Sequence, residues 1–401
     1  MYLFTSEVVS PGHPDKCADI IADAVVDRLI KEDPNARVAS EVFIAGKEII
    51  IGGEVKADVN LGIDEYKKIV KDTLIKIGYD GKSGFSKEQT LYPEDVNVQV
   101  FLNQQSPDIN QGVDKADGEI GAGDQGIMFG FASNETKDLM PAAITYARIL
   151  CDKVYEYALK NSDTLGVDIK TQVTVDYGTK ENFESCKPQK IHTIIVSAPS
   201  VESLKIEEVR ELIKSLIDEA GLPKELYRPD GDTIIHINPT GRYVNHSPLH
   251  DSGLTGRKLI VDSFGGYSPI GGGAQSSKDY TKVDRSGLYA ARWIAKNIVA
   301  SGLAKKCIVQ LSYAIGVAKP ISVSVDTMGT HKEGISDNIL SNFVVEKYSL
   351  TPRWIIDKFS LNKPSLANFS YADVAARGQV GQSDYPWEKT DAISDFHSLM
   401  K

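Results

Sequence analysis

An order of elements that occurs three times, helix, strand, strand, helix, restricts the fold of this 401-residue chain more than any other feature. Asp15 to Lys31 sets Ala18, Ile21, Ala22, Val25 and Leu29 at helical spacing, which predicts one apolar helix face. Val38 to Ile44 and Ile49 to Val55 read as strands around the turn Ala45-Gly46-Lys47, and a helix with Ile63, Tyr66, Val70, Leu74 and Ile77 follows. The second pass is Pro141 to Lys160, then Gln172 to Tyr177 and Ile191 to Ala198, then a helix with Leu204, Val209, Leu212, Ile213 and Leu216. The third is Thr281 to Ala300, strands Ile308 to Ile315 and Ile321 to Val325, and a helix with Ile335, Ile339 and Phe343. The copies differ in length and share no visible identity, which excludes a solenoid and predicts three related α/β modules.

Two runs, Glu48-Ile49-Ile50-Ile51 and Thr193-Ile194-Ile195-Val196, are apolar without alternation, a pattern expected of strands buried on both faces. Helices cover one face of a small sheet, so neighbouring modules or a second subunit must cover the other. An obligate dimer with a large apolar interface is the expectation. Asn103 to Ile120 is rich in Gln, Asp, Asn and Gly and has no periodicity; stretches of this length are either lids or plain surface connections.

Composition narrows the partners. Hydrophobic residues are 41% and charged residues 25%, ordinary values that exclude disordered and fibrous classes. Lys and Arg number 45 against 55 Asp and Glu, a net charge of −10 that disfavours nucleic acid and anionic membranes while leaving room for a local cationic pocket. Cys17, Cys151, Cys186 and Cys307 are scattered, so neither a disulfide scaffold nor a cysteine zinc site is expected. The start Met1-Tyr2-Leu3-Phe4-Thr5-Ser6-Glu7 lacks a basic segment followed by an apolar one, and no run approaches ~20 apolar residues. A cytoplasmic protein with no membrane contact is expected.

Four segments could carry chemistry. Ser10-Pro11-Gly12-His13-Pro14-Asp15-Lys16 precedes the first helix, whose N-terminus favours anions; His13 and Lys16 add cationic donors, and Asp15 either caps the helix or holds a divalent metal. Gly121-Ala122-Gly123-Asp124-Gln125-Gly126 fits a GxGxxG pattern, yet a polar run precedes it instead of a strand, so a turn that lets a ligand approach the backbone fits better than a dinucleotide fold. Gly271-Gly272-Gly273-Ala274 and the following Lys278, Lys282 and Arg285 suit an anion nest. Asp284 among these cations is either a salt-bridge partner or a second metal ligand. Asp251 to Lys258 and Asn238 to Tyr243 add an acid and further cations beside glycine turns. This inventory suits a polyphosphate held by cations and a divalent metal.

In order, Phe4-Thr5-Ser6-Glu7, Gly12-His13-Pro14-Asp15-Lys16, Gln105 to Asp114, Gly121 to Gly126, Gly253-Leu254-Thr255-Gly256-Arg257-Lys258, Gly271 to Ala274, Lys282-Val283-Asp284-Arg285-Ser286 and Pro386-Trp387-Glu388-Lys389-Thr390-Asp391 resemble the motifs of the S-adenosylmethionine synthetases (methionine adenosyltransferases) over nearly the whole chain. The resemblance implies a pseudo-threefold α/β subunit of the α+β type, each module a small sheet covered by helices, divided as 1–120, 121–238 and 239–401, with a mobile gate at 103–120. It implies a homodimer with shared active sites, or a homotetramer, and the reaction ATP + methionine + water → S-adenosylmethionine + phosphate + diphosphate with two Mg²⁺ per site and one K⁺ per subunit. Position by position it assigns His13 to departure of the triphosphate, Asp15 and Asp284 to Mg²⁺, and Glu41 to K⁺. Lys170, Arg257, Lys258 and Lys278 would grip phosphates. Asp168, Arg242, Tyr243, Asp251 and Ala274 would line the adenosine site, and Glu54, Gln105, Asp251 and Lys282 would hold methionine. Two stretches depart from the common pattern: Asn245 to His250 replaces a more glycine-rich run, and Gln275-Ser276-Ser277 replaces Phe-Ser-Gly.

Overall fold

The computed structural model describes residues 1–104 and 119–400. The strands are β1 (Leu3–Val9), β2 (Arg37–Ala45), β3 (Glu48–Lys56), β4 (Asn97–Gln104), β5 (Gly126–Ser133), β6 (Lys170–Asp176), β7 (Lys190–Ser197), β8 (Ile234–Ile237), β9 (Gly253–Leu254), β10 (Lys306–Tyr313) and β11 (Ser322–Asp326). The helices are α1 (Pro14–Glu32), α2 (Ile63–Ile77), α3 (Ala142–Lys160), α4 (Lys180–Glu184), α5 (Ile206–Asp218), α6 (Leu259–Asp262), α7 (Val283–Ala300), α8 (Asp337–Lys347), α9 (Pro352–Phe359), α10 (Tyr371–Arg377) and α11 (Ile393–His397). The three helix–strand–strand–helix passes of the sequence are all present.

They form three sheets, ordered β4-β3-β2-β9, β1-β6-β7-β8 and β11-β10-β5, each backed by one long helix. Helix α1 lies on β2, α3 on β1 and β6, and α7 on β5 and β10. No sheet comes from one contiguous stretch. Strand β1 pairs with β6, β9 with β2, and β5 with β10, so each sheet borrows a strand from another part of the chain and the modules interleave. Helix α7 is buried from Val283 to Val299, and the charged side that Arg285, Arg292 and Lys296 form on it is enclosed with the rest.

The continuous apolar runs are not buried on both faces. Ile49 and Ile51 are fully buried while Ile50 between them is half-exposed, and Ile194 and Val196 flank a half-exposed Ile195. Within one chain a helix covers only one face, and side chains alternate across a strand. The open face of the first sheet carries Phe43 and, with 61% of its surface exposed, Phe101. Ile234 and Ile127 are exposed on the second and third sheets.

Candidate active site

The first group of charged side chains forms where α1 begins. His13 is its N-cap, and the ring Nδ1 accepts the Asp15 N–H at 3.1 Å. The loop before it is fastened to the segment leading into β6: Ser10 Oγ donates to the Val167 carbonyl at 2.5 Å and accepts the Ile169 N–H at 2.9 Å. A Cβ on Gly12 would stand 2.3 Å from the Val167 oxygen, so the approach needs glycine. This closeness sets Asp168 and Lys170 beside His13, residues whose sequence context alone carried no signal.

Asp15 is the centre of the group. Its Oδ1 accepts Arg257 Nε at 2.8 Å and the Leu254 N–H at 3.0 Å, and its Oδ2 accepts Lys258 Nζ at 2.5 Å. Burial works against its charge, but the Lys258 hydrogen bond and the Leu254 N–H outweigh it and hold the carboxyl below its ordinary range. Burial, then the charges of Lys258 and Lys170, push His13 down to about 3, so its ring is neutral in the free protein. Asp168 Oδ2 accepts the Tyr243 hydroxyl at 2.9 Å and the Ser247 N–H at 3.2 Å. Its Oδ1 is buried and finds no partner among the described residues, and burial raises its pKa to about 6. Asp251 is exposed and near enough to raise both Asp168 and Tyr243. Arg242, next to Tyr243 in the chain, donates to the Glu202 carbonyl.

The second group sits at the start of α7. Lys278 Nζ lies 2.5 Å from Asp284 Oδ2, and a Cβ on Gly273 would stand 2.1 Å from that carboxylate, so the glycine loop closes directly over it. Lys282 forms a buried ion pair with Asp279. A bridge between Ala39 and Lys278, with the Ser40 N–H on the Ser277 carbonyl at 3.0 Å, docks this loop on β2. In the β2–β3 register Ala39 faces Glu54 and Glu41 faces Gly52, so Glu41 and Glu54 project from the same open sheet face as Ala39. The glycine turns beside the two groups touch where Ala274 packs against Gly256, whose Cβ would stand 2.8 Å from that of Ala274. Gln105 and most of the 103–120 stretch lie outside the described residues.

Behind both groups runs a column of carboxylates that the sequence reading passed over. Asp15, Asp19, Asp23 and Asp27 recur every fourth residue of α1, and each accepts a backbone N–H: Asp15 and Asp19 from Leu254 and Gly256, Asp23 from Ser277, and Asp27 from Tyr371 and Ala372. Asp19 takes the Gly256 N–H at 2.9 Å and shares Lys16 with Asp262; Asp23 takes the Ser277 N–H at 2.8 Å and a fully buried Arg285. Four like charges one turn apart on a helix repel, which is a readable sign that each has its own partner.

Asp15 and Asp284 are hard oxygen donors flanked by lysines. Among the described residues no three His, Cys, Asp or Glu side chains gather to hold a metal. Single carboxylates beside such cations fit Mg²⁺, which keeps waters and binds through phosphates, better than a metal needing a full protein cage. The GxGxxG run is followed by strand β5 and not by a helix, and it is clamped by the Ala122 N–H on Val317 O (3.1 Å) and the Gly316 N–H on Ala122 O (2.9 Å).

The N-terminal, central and C-terminal domain models of S-adenosylmethionine synthetase match residues 1–107, 119–243 and 246–389. S-adenosylmethionine synthases of Chlorobium phaeobacteroides and Nitratiruptor sp. are 42% and 44% identical, each alignment covering 100% of this chain and 98% of the relative. The solved structure of an unusual S-adenosylmethionine synthetase from Campylobacter jejuni, 69% identical, superposes with a TM-score of 0.95 over 100% of both chains. The chain belongs to the S-adenosylmethionine synthetase family, metal-dependent transferases that make S-adenosylmethionine from ATP and methionine.

Proposed function

We propose that the Asp15 and Asp284 groups are the two halves of the adenosyl-transfer site, and that two copies of the chain bring one half of each together. The carrying observation is the Asp15 carboxylate held by Arg257 and Lys258 at a helix N-terminus, where three linked phosphates would find cations and free dipole together. Methionine sulfur attacks C5′ of ATP; the C5′–O bond breaks and the triphosphate leaves with its charge. Lys170, Arg257, Lys258 and Lys278 grip it, and His13, brought beside this anion, gains a reason to donate a proton or hydrogen bond as it departs. The same cations then hold the triphosphate for hydrolysis to phosphate and diphosphate. Tyr243, Asp168, Asp251, Arg242 and Ala274 line the adenosine site, and the orphan Asp168 Oδ1 suits a donor on the nucleoside. Glu54, Gln105, Asp251 and Lys282 hold methionine, with the 103–120 stretch as the gate.

Two Mg²⁺ per site would be held by Asp15 and Asp284, and one K⁺ per subunit by Glu41; when bound, Mg²⁺ neutralises phosphate charge without proton transfer. The exposed Phe43, Phe101, Ile127 and Ile234 support covering by a second copy, in a homodimer or a homotetramer of such dimers. Among the described residues no helix is long and apolar enough to cross a membrane, and we place the enzyme in the cytoplasm.

Purified protein incubated with ATP, methionine, Mg²⁺ and K⁺ should yield the sulfonium product. At a Mg²⁺ concentration too low for Asp15→Asn, mixing Asp15→Asn and Lys278→Met subunits should restore about a quarter of the wild-type activity, because half of the dimers are mixed and each of these holds one intact site. No recovery on subunit exchange would put both halves in one chain.

A further inference from the structure

The loop that delivers Lys278 is held at three successive residues. The Arg285 guanidinium donates to the Gln275 carbonyl, Gln379 Nε2 donates to Ser276 Oγ at 3.2 Å, and the Ser277 N–H donates to Asp23 at 2.8 Å. Arg285 and Asp23 belong to the helices that carry the site. Gln379 arrives from the turn after α10, about a hundred residues later in the chain.

Every polar group of Gln379 is committed, and the residue is fully buried. Its Oε1 accepts the Tyr289 hydroxyl at 2.5 Å, which leaves Nε2 to face Ser276. Its N–H donates to the Asp262 carbonyl at 2.9 Å, and its carbonyl accepts Trp387 Nε1 at 2.8 Å. Trp387 lies flat on Tyr289, with ring centroids 3.7 Å apart, and packs the Tyr289 hydroxyl against Gln379. Ser276 also faces Asp23 and helps to hold its charge. Tyr289 thus donates to Gln379 and Gln379 to Ser276, which ties the 275–278 loop to the aromatic stack.

We infer that Gln379 is a positioning residue for Lys278, acting through Ser276 on the 275–278 loop. The ion pair with Asp284 fixes only the tip of a long flexible side chain; the backbone that aims it must be fixed separately. That backbone is strained, since Ser277 has a φ of +79°, in a region non-glycine residues avoid. A loop with a more relaxed alternative needs a restraint at its middle residue, and Gln379 supplies it. The role rests on Lys278 gripping phosphate.

Full-length Lys278→Met, Ser276→Ala, Gln379→Met and the Ser276→Ala/Gln379→Met double variant are compared by steady-state kinetics and thermal melting. Lys278→Met should lower kcat about 100-fold, the loss typical of one preorganised donor. Ser276→Ala and Gln379→Met should each lower kcat about 10-fold, with KM for methionine within about twofold, as a misplaced gripping group does. The double variant should be no slower than the slower single one, because both break one link. Ser276→Ala at the wild-type kcat, whatever its melting temperature, overturns the positioning role even if Gln379→Met does not fold. Lys278→Met at the wild-type rate overturns that role together with the phosphate assignment beneath it.

Discussion

Lys258 approaches one oxygen of Asp15 to 2.5 Å while Arg257 holds the other at 2.8 Å, so the carboxylate assigned to Mg²⁺ is neutralised by two cations in the free protein. A phosphate chain that draws those cations to itself would uncover the carboxylate for metal. Nucleotide and metal should therefore bind as a pair. Asp15→Asn is expected to raise the Mg²⁺ concentration for half-maximal rate by at least about tenfold, the scale on which ligand environments are felt. A metal titration at fixed ATP checks this, and an unchanged curve would remove Asp15 from the ligand set.

His13 stands at the helix start with its Nδ1 occupied by the Asp15 N–H, which leaves Nε2 for the leaving group. A donor used only as the triphosphate departs should matter to that step alone. His13→Ala is expected to slow sulfonium formation by about 10²–10³-fold and triphosphate hydrolysis much less. Single-turnover measurements of the two half-reactions decide it; equal losses in both would reject the assignment.

The sequence announced the fold where periodicity was local and concealed it where pairing was distant. Helix α1 and the β2–β3 hairpin were legible because Ala18 to Leu29 and Val38 to Val55 carry their own spacing. Strands β1, β4, β5, β8 and β9 were not read, and β1, β5 and β9 are the ones that pair across the chain: nothing in Gly253-Leu254 says it will lie against Phe43 and Ile44. The site divided in the same way. His13, Asp15, Lys278 and Asp284 stand beside glycine turns that advertise a ligand. Glu41 and Glu54 are ordinary acids on strands, and Lys282 turned out to be buried against Asp279; geometry alone brings such residues near the chemistry. The carboxylate column is written in the sequence as an aspartate at every fourth position from Asp15 to Asp27, but only Asp15 stands beside a glycine turn, so the other three carry no local sign of a ligand.

Burial raises Asp168 to about 6 from an ordinary 3.8, so between these values the folded protein holds a proton that the unfolded chain has released. Its contribution to stability therefore declines as pH rises through that window. Activity runs the other way. If Asp168 receives the nucleoside as proposed, its carboxylate accepts the hydrogen bond more strongly than the protonated acid does, so kcat/KM for ATP should fall as pH drops below about 6. A pH profile should show this limb in the wild type and lose it, at a lower plateau, in Asp168→Asn; the same limb in both would assign it to another group.

Ser277 combines a left-handed backbone with a buried hydroxyl that finds no hydrogen-bond partner among the described residues. Glycine removes both costs. Ser277→Gly is expected to stabilise the protein by about 1 kcal/mol, after the greater freedom of glycine in the unfolded chain is subtracted. Urea unfolding checks it, and a loss of stability would mean that the strain is relieved in some other way.

Glu388, within the late Pro386-Trp387-Glu388 motif, owes its place to folding and not to chemistry. Its Oε1 accepts Arg292 Nε at 2.9 Å and the Gly381 N–H at 2.7 Å; its Oε2 accepts Arg292 Nη2 at 2.9 Å and Lys296 Nζ at 2.7 Å. Arg292 and Lys296 are both buried on α7, the helix that carries Asp284 at its other end. Removing the one anion between two buried cations leaves both charges uncompensated, a loss of about 3–5 kcal/mol. Glu388→Ala should therefore unfold at much lower urea, while whatever folds keeps its kcat, because no group near the phosphates has changed. Adding Lys296→Met to Glu388→Ala takes away one of the stranded charges and should recover part of the stability. If the double variant were less stable than Glu388→Ala, the cost would lie in lost packing and the electrostatic account of this motif would fail.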